Sequence, residues 1–439
     1  MTDSDTAPVL PDGLVAVVKR ACPTCELVAP VLDDLAARAG LVAYSQDDPV
    51  FPADAAWVRH DHDLAVSWHH DIDTVPTLLR VERGAVTDRT VGWSRAQWEA
   101  FTGAEGLGGG LPDQRPGCGS MSVDPNLTDE LTVRFSGSTL RSRRVELAAL
   151  EDDWEAMWDR GWSDGFPVVP PTEARVLRML GGTTRAADEI VAVVPPDLVD
   201  CTVEKVAVNA VMAGCRPEYL PVVLAAVEAA CTPEFNMHGL LCTTMPVGPI
   251  LVVNGPITER IGMNSGINVL GQGNRANTTI GRALQLVVRN VGGGRPGEID
   301  RATQGSPAKY GLCFPEDEAG SPWESLAESR GVAAGVDAVT LFPGEGPRLI
   351  FDQASRSPES LVKHLALGLR SSVSPKLAMV FDGMLVLSPE HMSRFADAGW
   401  DRARFLAEIG NALMLDGDDL IRGAGGIEEG MPEFLAGSP

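Results

Sequence analysis

Two cysteines at close spacing open the chemistry of this chain, in the run Cys22-Pro23-Thr24-Cys25. A short apolar run, Val15 to Val18, precedes them and suits a buried strand. After them, Leu27, Val28, Val31, Leu32 and Leu35 fall at helical spacing between Glu26 and Ala39. Pro30 is expected to kink that helix and Gly40 to end it. A cysteine at a helix N-terminus meets free backbone N–H groups and the positive end of the dipole, which lower its pKa. Cys22 is therefore expected to attack and Cys25, one turn on, to resolve, as a redox-active dithiol. The alternative is a zinc half-site completed by two of His60, His62, His69 and His70, or a pair of incidental thiols.

Further along, Thr74-Val75-Pro76-Thr77 leads into two strand candidates, Leu78 to Val81 and Ala85 to Val91, with a turn at Gly84. With the dithiol, this segment resembles the thioredoxin superfamily over roughly residues 12–103. The resemblance implies a cis-proline at Pro76 facing Cys22 and Cys25. Two features depart from the thioredoxin pattern. The Pro23-Thr24 pair is closer to the glutaredoxin type, and Ala21 stands where a tryptophan would precede the first cysteine.

Residues 104–127 are rich in Gly and Pro, without periodicity, and read as a linker. The linker carries Cys118 between Gly117 and Gly119, open to close approach by another thiol. It is either a relay thiol that meets the Cys22/Cys25 pair or a linker cysteine without a role.

Residues 128–439 read as a larger mixed α/β domain, with a subdivision near residue 335. A strand is expected at Leu131 to Phe135. Helices are expected at Arg144 to Arg160, Thr172 to Leu180, Val203 to Ala213 and Pro217 to Cys231, and a buried strand at Ile250 to Val253. Tyr310 to Phe314 reads as a strand, with Gln304, Lys309, Cys313, Glu316 and Glu318 around it. A β-α-β unit follows: Val339 to Phe342, Pro358 to Leu369 and Leu377 to Val380. Ser388-Pro389-Glu390 suits a helix start.

The loop Gly271-Gln272-Gly273-Asn274-Arg275-Ala276-Asn277 opens a helix that stops at Gly292-Gly293-Gly294. With Asn254 nearby in sequence, it reads either as an anion site or as an ordinary Asn/Gly-rich cap. A dinucleotide site is not expected, because no βαβ unit surrounds the glycines. The residues here with chemistry to offer are Glu204, Lys205, Asn209, Cys215, Arg275, Asn277 and Lys309. Cys215 sits at a helix break beside Arg216, so it is either a second reactive thiolate or a buried small hydrophobe. Cys201, Cys231 and Cys242 read as buried thiols.

Three segments, Gly161 to Thr172, Val203 to Cys215 and Asn274 to Arg282, together with Ser388 to His391 and Gly399-Trp400, resemble a bacterial family associated with a selenocysteine-Gly-Ser-Cys (UGSC) motif. Cys118-Gly119-Ser120-Met121 is similar to that motif, with cysteine and methionine at its ends. The resemblance implies a domain over roughly residues 154–415 and no reaction.

The whole chain has 439 residues, 44% of them apolar, enough for two or three domains. The net charge of −24 argues against nucleic acid and anionic membranes as partners. The N-terminus lacks a signal-peptide pattern, so a cytoplasmic location is expected, where the eight cysteines would stay reduced. The expectation is an α/β protein, a thiol-dependent redox enzyme whose dithiol serves a second domain acting on a small anionic substrate. A cellular thiol reductant and a homo-oligomer are expected, and no cofactor or metal. Two alternatives stand: a lyase, hydrolase or sulfur-transfer enzyme that uses the dithiol to capture substrate, and a non-catalytic binding platform.

Overall fold

The computed structural model describes residues 7–137, 140–148, 150–372, 382–416 and 418. The described chain is mixed α/β and divides into two compact units. The first is Met1–Arg141 with Thr172–Arg178, and the second is Ser142–Pro171 with Met179–Pro439.

In the first unit, β1 (Gly13–Val18) runs parallel to β2 (Val42–Ser45), and β2 parallel to β3 (Val58–His60). Between β1 and β2 lies α1 (Pro23–Ala39). The short α2 (Ala65–His69) and β4 (Thr74–Val75) lead to β5 (Thr77–Glu82), antiparallel to β1, and then to β6 (Ala85–Val91). The sheet order is β3-β2-β1-β5-β6. The apolar run expected at Val15 to Val18 is the fully buried centre of this sheet. Val28, Val31, Leu32 and Leu35 of α1 are buried in the same core. Helix α1 runs through Pro30 as one element and ends at Gly40, whose φ of 67° is the left-handed cap.

The stretch expected as a linker is part of this unit. After β7 (Trp93–Ser94) and α3 (Arg95–Thr102), the chain loops back. β8 (Gln114–Arg115) pairs with β7, and β9 (Cys118–Gly119) pairs antiparallel with β4. Arg95 donates to the carbonyls of Leu107, Gly108 and Leu111, and the Trp93 indole donates to Pro112 O. These bonds satisfy a backbone that lacks a regular ladder, so the segment packs without periodicity. The strand expected at Leu131 to Phe135 is instead a helix, α4 (Thr128–Phe135), with Asp129 and Glu130 in its first turn and Leu131 buried.

The second unit begins with α5 (Asp153–Asp159), shorter than the helix expected from Arg144, because Asp152 caps it through Trp154 N and Glu155 N. α6 (Glu173–Leu180), most of which belongs to the first unit, precedes the hairpin β10 (Ile190–Val194) and β11 (Val199–Thr202). Next come α7 (Val203–Ala213), α8 (Leu220–Ala230) and α9 (Met237–Cys242). β12 (Gly248–Asn254), buried along its length, is followed by α10 (Ile257–Arg260) and α11 (Arg275–Asn290). β13 (Leu312–Pro315), α12 (Leu326–Ser329) and β14 (Ala338–Gly344) complete a three-stranded sheet. Its order is β13-β12-β14, parallel on one side and antiparallel on the other.

The division expected near residue 335 does not fall there, because β14 is hydrogen-bonded to β12. A separate apolar cluster lies further on, among α13 (Pro358–Arg370), α14 (Pro389–Asp397) and α15 (Arg402–Leu413). Leu361, Leu365, Phe395, Trp400 and Phe405 form its centre. The strand expected at Leu377 to Val380 lies outside the described residues.

Candidate functional site

The first unit brings three cysteines together. Cys22 is the N-cap of α1, fully buried, with its Sγ accepting from Cys25 N at 3.4 Å. Pro23 at the first helical position has no N–H to satisfy, so the turn forms without an orphan donor there. Pro76 follows a cis peptide bond to Val75, and Val75 O lies 3.5 Å from Cys22 Sγ. The third thiol is Cys118. Its Sγ is 2.7 Å from Cys22 Sγ, nearer than non-bonded sulfurs usually come, yet all three cysteines are free.

Cys118 arrives on a strap of residues 114–123 that is fastened at several points. Its strand register sets Cys118 opposite Val75 and Gly119 opposite Thr74. Thr24 Oγ1 donates to Pro116 O at 2.7 Å, and Lys19 Nζ donates to Gly119 O at 2.6 Å. Gln46 Nε2 donates to Ser120 Oγ and Ser67 Oγ, while Gln46 Oε1 accepts from Met121 N. Ser67 Oγ in turn donates to the buried Asp61 carboxylate, whose own pKa burial raises. Gly117 cannot carry a side chain: a Cβ there would lie 2.5 Å from Thr74 Cγ2 and 2.8 Å from Val75 O.

The electrostatics single out one sulfur. The Cys25 thiol, donating to Cys22, does most to lower the Cys22 pKa. Burial opposes it, while Cys118 and the backbone N–H groups of Cys25 and Thr24 add to the lowering, and the result is about 5. Cys25 is pushed the other way, first by burial and then by its bond to Cys22. Cys118 is also raised, by burial and then by Cys22, with the Lys19 charge pulling against both. The Cys25 and Cys118 thiols thus both favour the ionised form of Cys22.

The histidines named as alternative ligands are elsewhere. His60 and His62 are exposed, His70 Nε2 lies 3.0 Å from Pro8 O, and His69 packs edge-on against Phe135. Among the described residues no group of three His, Cys, Asp or Glu side chains is arranged to hold a metal ion.

In the second unit three of the quoted segments, Gly161 to Thr172, Val203 to Cys215 and Asn274 to Arg282, meet at α11. Arg282 donates two hydrogen bonds to the Asp164 carboxylate, both at 2.8 Å, and also donates to Phe166 O and Pro167 O. Asn290 donates to Trp162 O and to Asn209 Oδ1, and Asn209 donates to Lys205 O on its own helix. Gly161 to Thr172, α7 and α11 are therefore one packed assembly.

The residues expected to bind substrate are mostly engaged in that packing. Asn274 caps α11 through Asn277 N, and the buried Asn277 bridges Asn264 O and Val269 O. Arg275 Nε donates to Gly214 O, the carbonyl that closes α7. The Asn/Gly-rich loop is thus a self-satisfied cap. Asn254 donates to Glu316 and Glu318, and Lys309 pairs with Asp300 at 2.9 Å. Cys215 is not a thiolate: it is buried, bonded to Thr279 O, and pushed up by burial to about 12. Of the other thiols read as buried, Cys201 is buried, Cys231 half-buried and Cys242 exposed.

Sequence reasoning passed over Arg289 and Arg295, near the end of α11. Burial and the Arg295 charge lower the Arg289 pKa, and the buried Nε of each has no hydrogen-bond partner. Two half-buried guanidiniums with spare donors favour an anion. The signal was present in sequence as two arginines flanking Gly292-Gly293-Gly294.

No family model, curated protein or solved structure matches the chain. Among the described residues no helix is long and apolar enough to cross a membrane.

Proposed function

We propose that this chain is a thiol-dependent redox enzyme whose first unit is thioredoxin-like, with Cys22 as the nucleophile, serving a second unit that acts on a small anionic substrate. The observation that carries the reading is the Cys22 sulfur: an N-cap thiol lowered to about 5, with Cys25 bonded to it and Pro76 following Val75 beside it. At neutral pH such a sulfur is a thiolate, the form that attacks disulfides and other electrophilic sulfur. The parallel β1–α1–β2 start and the antiparallel β5–β6 end support the thioredoxin-like assignment. Arg289 and Arg295 support an anionic substrate for the second unit. A cellular thiol would return the centre to its reduced state.

The test is the pH profile of iodoacetamide alkylation, read residue by residue by mass spectrometry on the reduced protein. The Cys22 rate should rise to a plateau with a midpoint near 5. A Cys22 that alkylates only as an ordinary thiol, with a midpoint at about 8.5, would remove the nucleophile and the reading with it.

A further inference from the structure

We propose that Cys118, rather than Cys25, resolves the mixed disulfide formed on Cys22, and that the strap carrying it reserves this centre for low-molecular-weight disulfides. The inference rests on the thiol–disulfide reading above and adds a catalytic residue to it. Its basis is geometric. Cys118 Sγ stands 2.7 Å from Cys22 Sγ, and the strap is fixed by the β4–β9 pairing, Thr24, Lys19 and Gln46. Cys22 therefore has two thiols within reach, and they differ in readiness.

A resolving thiol must lose its proton as it attacks. Cys25 is fully buried, and burial together with the neighbouring Cys22 raises its pKa strongly. Burial and Cys22 raise the Cys118 thiol as well, but Cys118 is only half-buried and the Lys19 ammonium pulls against both. Backbone pairing also holds Cys118 close, so its effective concentration at Cys22 needs no encounter.

The Cys22 thiolate attacks a small disulfide RSSR, forming Cys22–S–S–R and releasing RS⁻. Cys118 then gives up its proton and attacks Cys22 Sγ. The second RS⁻ leaves, and Cys22–S–S–Cys118 remains. The Cys118 proton goes to a released RS⁻. RSSR has been reduced to one thiol and one thiolate, which solvent protonates according to its pKa, and the Cys22 thiolate and Cys118 thiol have been oxidised to one disulfide.

The strap also selects among disulfides. A small one makes no backbone pairing with Thr74-Val75 and so does not compete with β9. A polypeptide that approached along Thr74-Val75 would find β9 already paired there, and would have to displace the strap with all its fastenings.

The experiment uses the reduced full chain with Cys242→Ser as background, at pH 6, and half an equivalent of 4,4′-dithiodipyridine, which releases a coloured thiopyridone at each step. Wild-type background and Cys25→Ser should release two thiopyridones per reagent molecule and yield a Cys22–Cys118 linked peptide. Cys118→Ser should release one promptly and hold the mixed disulfide on Cys22 at least tenfold longer. Gly117→Ala, which keeps all three cysteines but pushes the strap off Thr74, should also slow the second release several-fold. Prompt double release in Cys118→Ser with a stall in Cys25→Ser would overturn the inference and leave the redox reading standing. No first release at Cys22 in any variant would overturn both. Double release in Gly117→Ala at the background rate would refute the role given to the strap.

Discussion

Cys22 links ionisation to stability. Its ordinary pKa of 9.0 falls to about 5 in the folded chain. Between those values the unfolded chain binds a proton that the folded chain does not, so the stabilisation grows as pH rises and is lost as pH falls through 5. Cys25 and Cys118 are shifted upward, so their opposite effect lies above the pH at which an unfolded thiol ionises. Urea unfolding of the reduced protein should therefore show the first unit gaining stability from pH 5 to 8, by up to about 1.4 kcal/mol per pH unit. Cys22→Ala should flatten that slope. A variant whose midpoint runs parallel to wild type across the range would show that the fold does not favour the thiolate. The helix that Cys22 caps was readable from residue types and spacing alone. The fate of Cys215 was not: a helix break beside Arg216 resembles a reactive site until the surrounding apolar residues are known to close over it.

At the scale of elements, the strap and α11 each gather distant residues. The strap is held from beneath by the chain Asp61–Ser67–Gln46–Ser120–Ser122, a buried polar network whose members all find partners. Replacing Gln46 by Leu would leave Ser67 bonded only to Asp61 and Ser120 only to Ser122, and would strand the Met121 N–H, at about 1–3 kcal/mol for the unsatisfied group. The expected result is a first unit destabilised by about 2 kcal/mol or more and a faster Cys118 alkylation. Unchanged Cys118 reactivity would mean that the network does not hold the strap. In the second unit the Asp164–Arg282 pair is largely buried, with side-chain exposures of 13% and 15%. Asp164→Asn should cost about 3–5 kcal/mol by leaving the guanidinium uncompensated, and the double variant with Arg282→Met should recover part of it in a thermal-unfolding cycle. An equal or larger loss in the double variant would show that the charge pairing is not what matters there. These elements explain what the sequence pattern hid. Two-residue strands such as β8 and β9 have no period to read, and glycine and proline mark turns and linkers as readily as close backbone approach. The longer elements β1, α1, β5, β6 and α7 announce themselves through buried runs and helical spacing, and their ends fall close to those expected.

For the whole molecule, the choice of disulfide partner has a thermodynamic reading. Cys22 and Cys118 lie 96 positions apart. A bond between them closes a loop that removes about 4–5 kcal/mol of unfolded-chain entropy, while one to Cys25 closes a tight turn and gives far less. Mild oxidation should accordingly raise the first unit's unfolding midpoint and leave the second unit's transition where it was. An oxidised first unit that melts with the reduced one would point to the Cys22–Cys25 bond. The fastening of the strap bears equally on where the chain can be cut. Trp93 is buried under it, with its indole bonded to Pro112 O. A fragment ending at Gly103 would bare that ring and the edge of Thr74-Val75, and its tryptophan emission would shift to the red as the molecules associate. One carried through to Arg141 would keep both covered, so a cut at the last turn of α3 falls inside the packed unit and not at its edge.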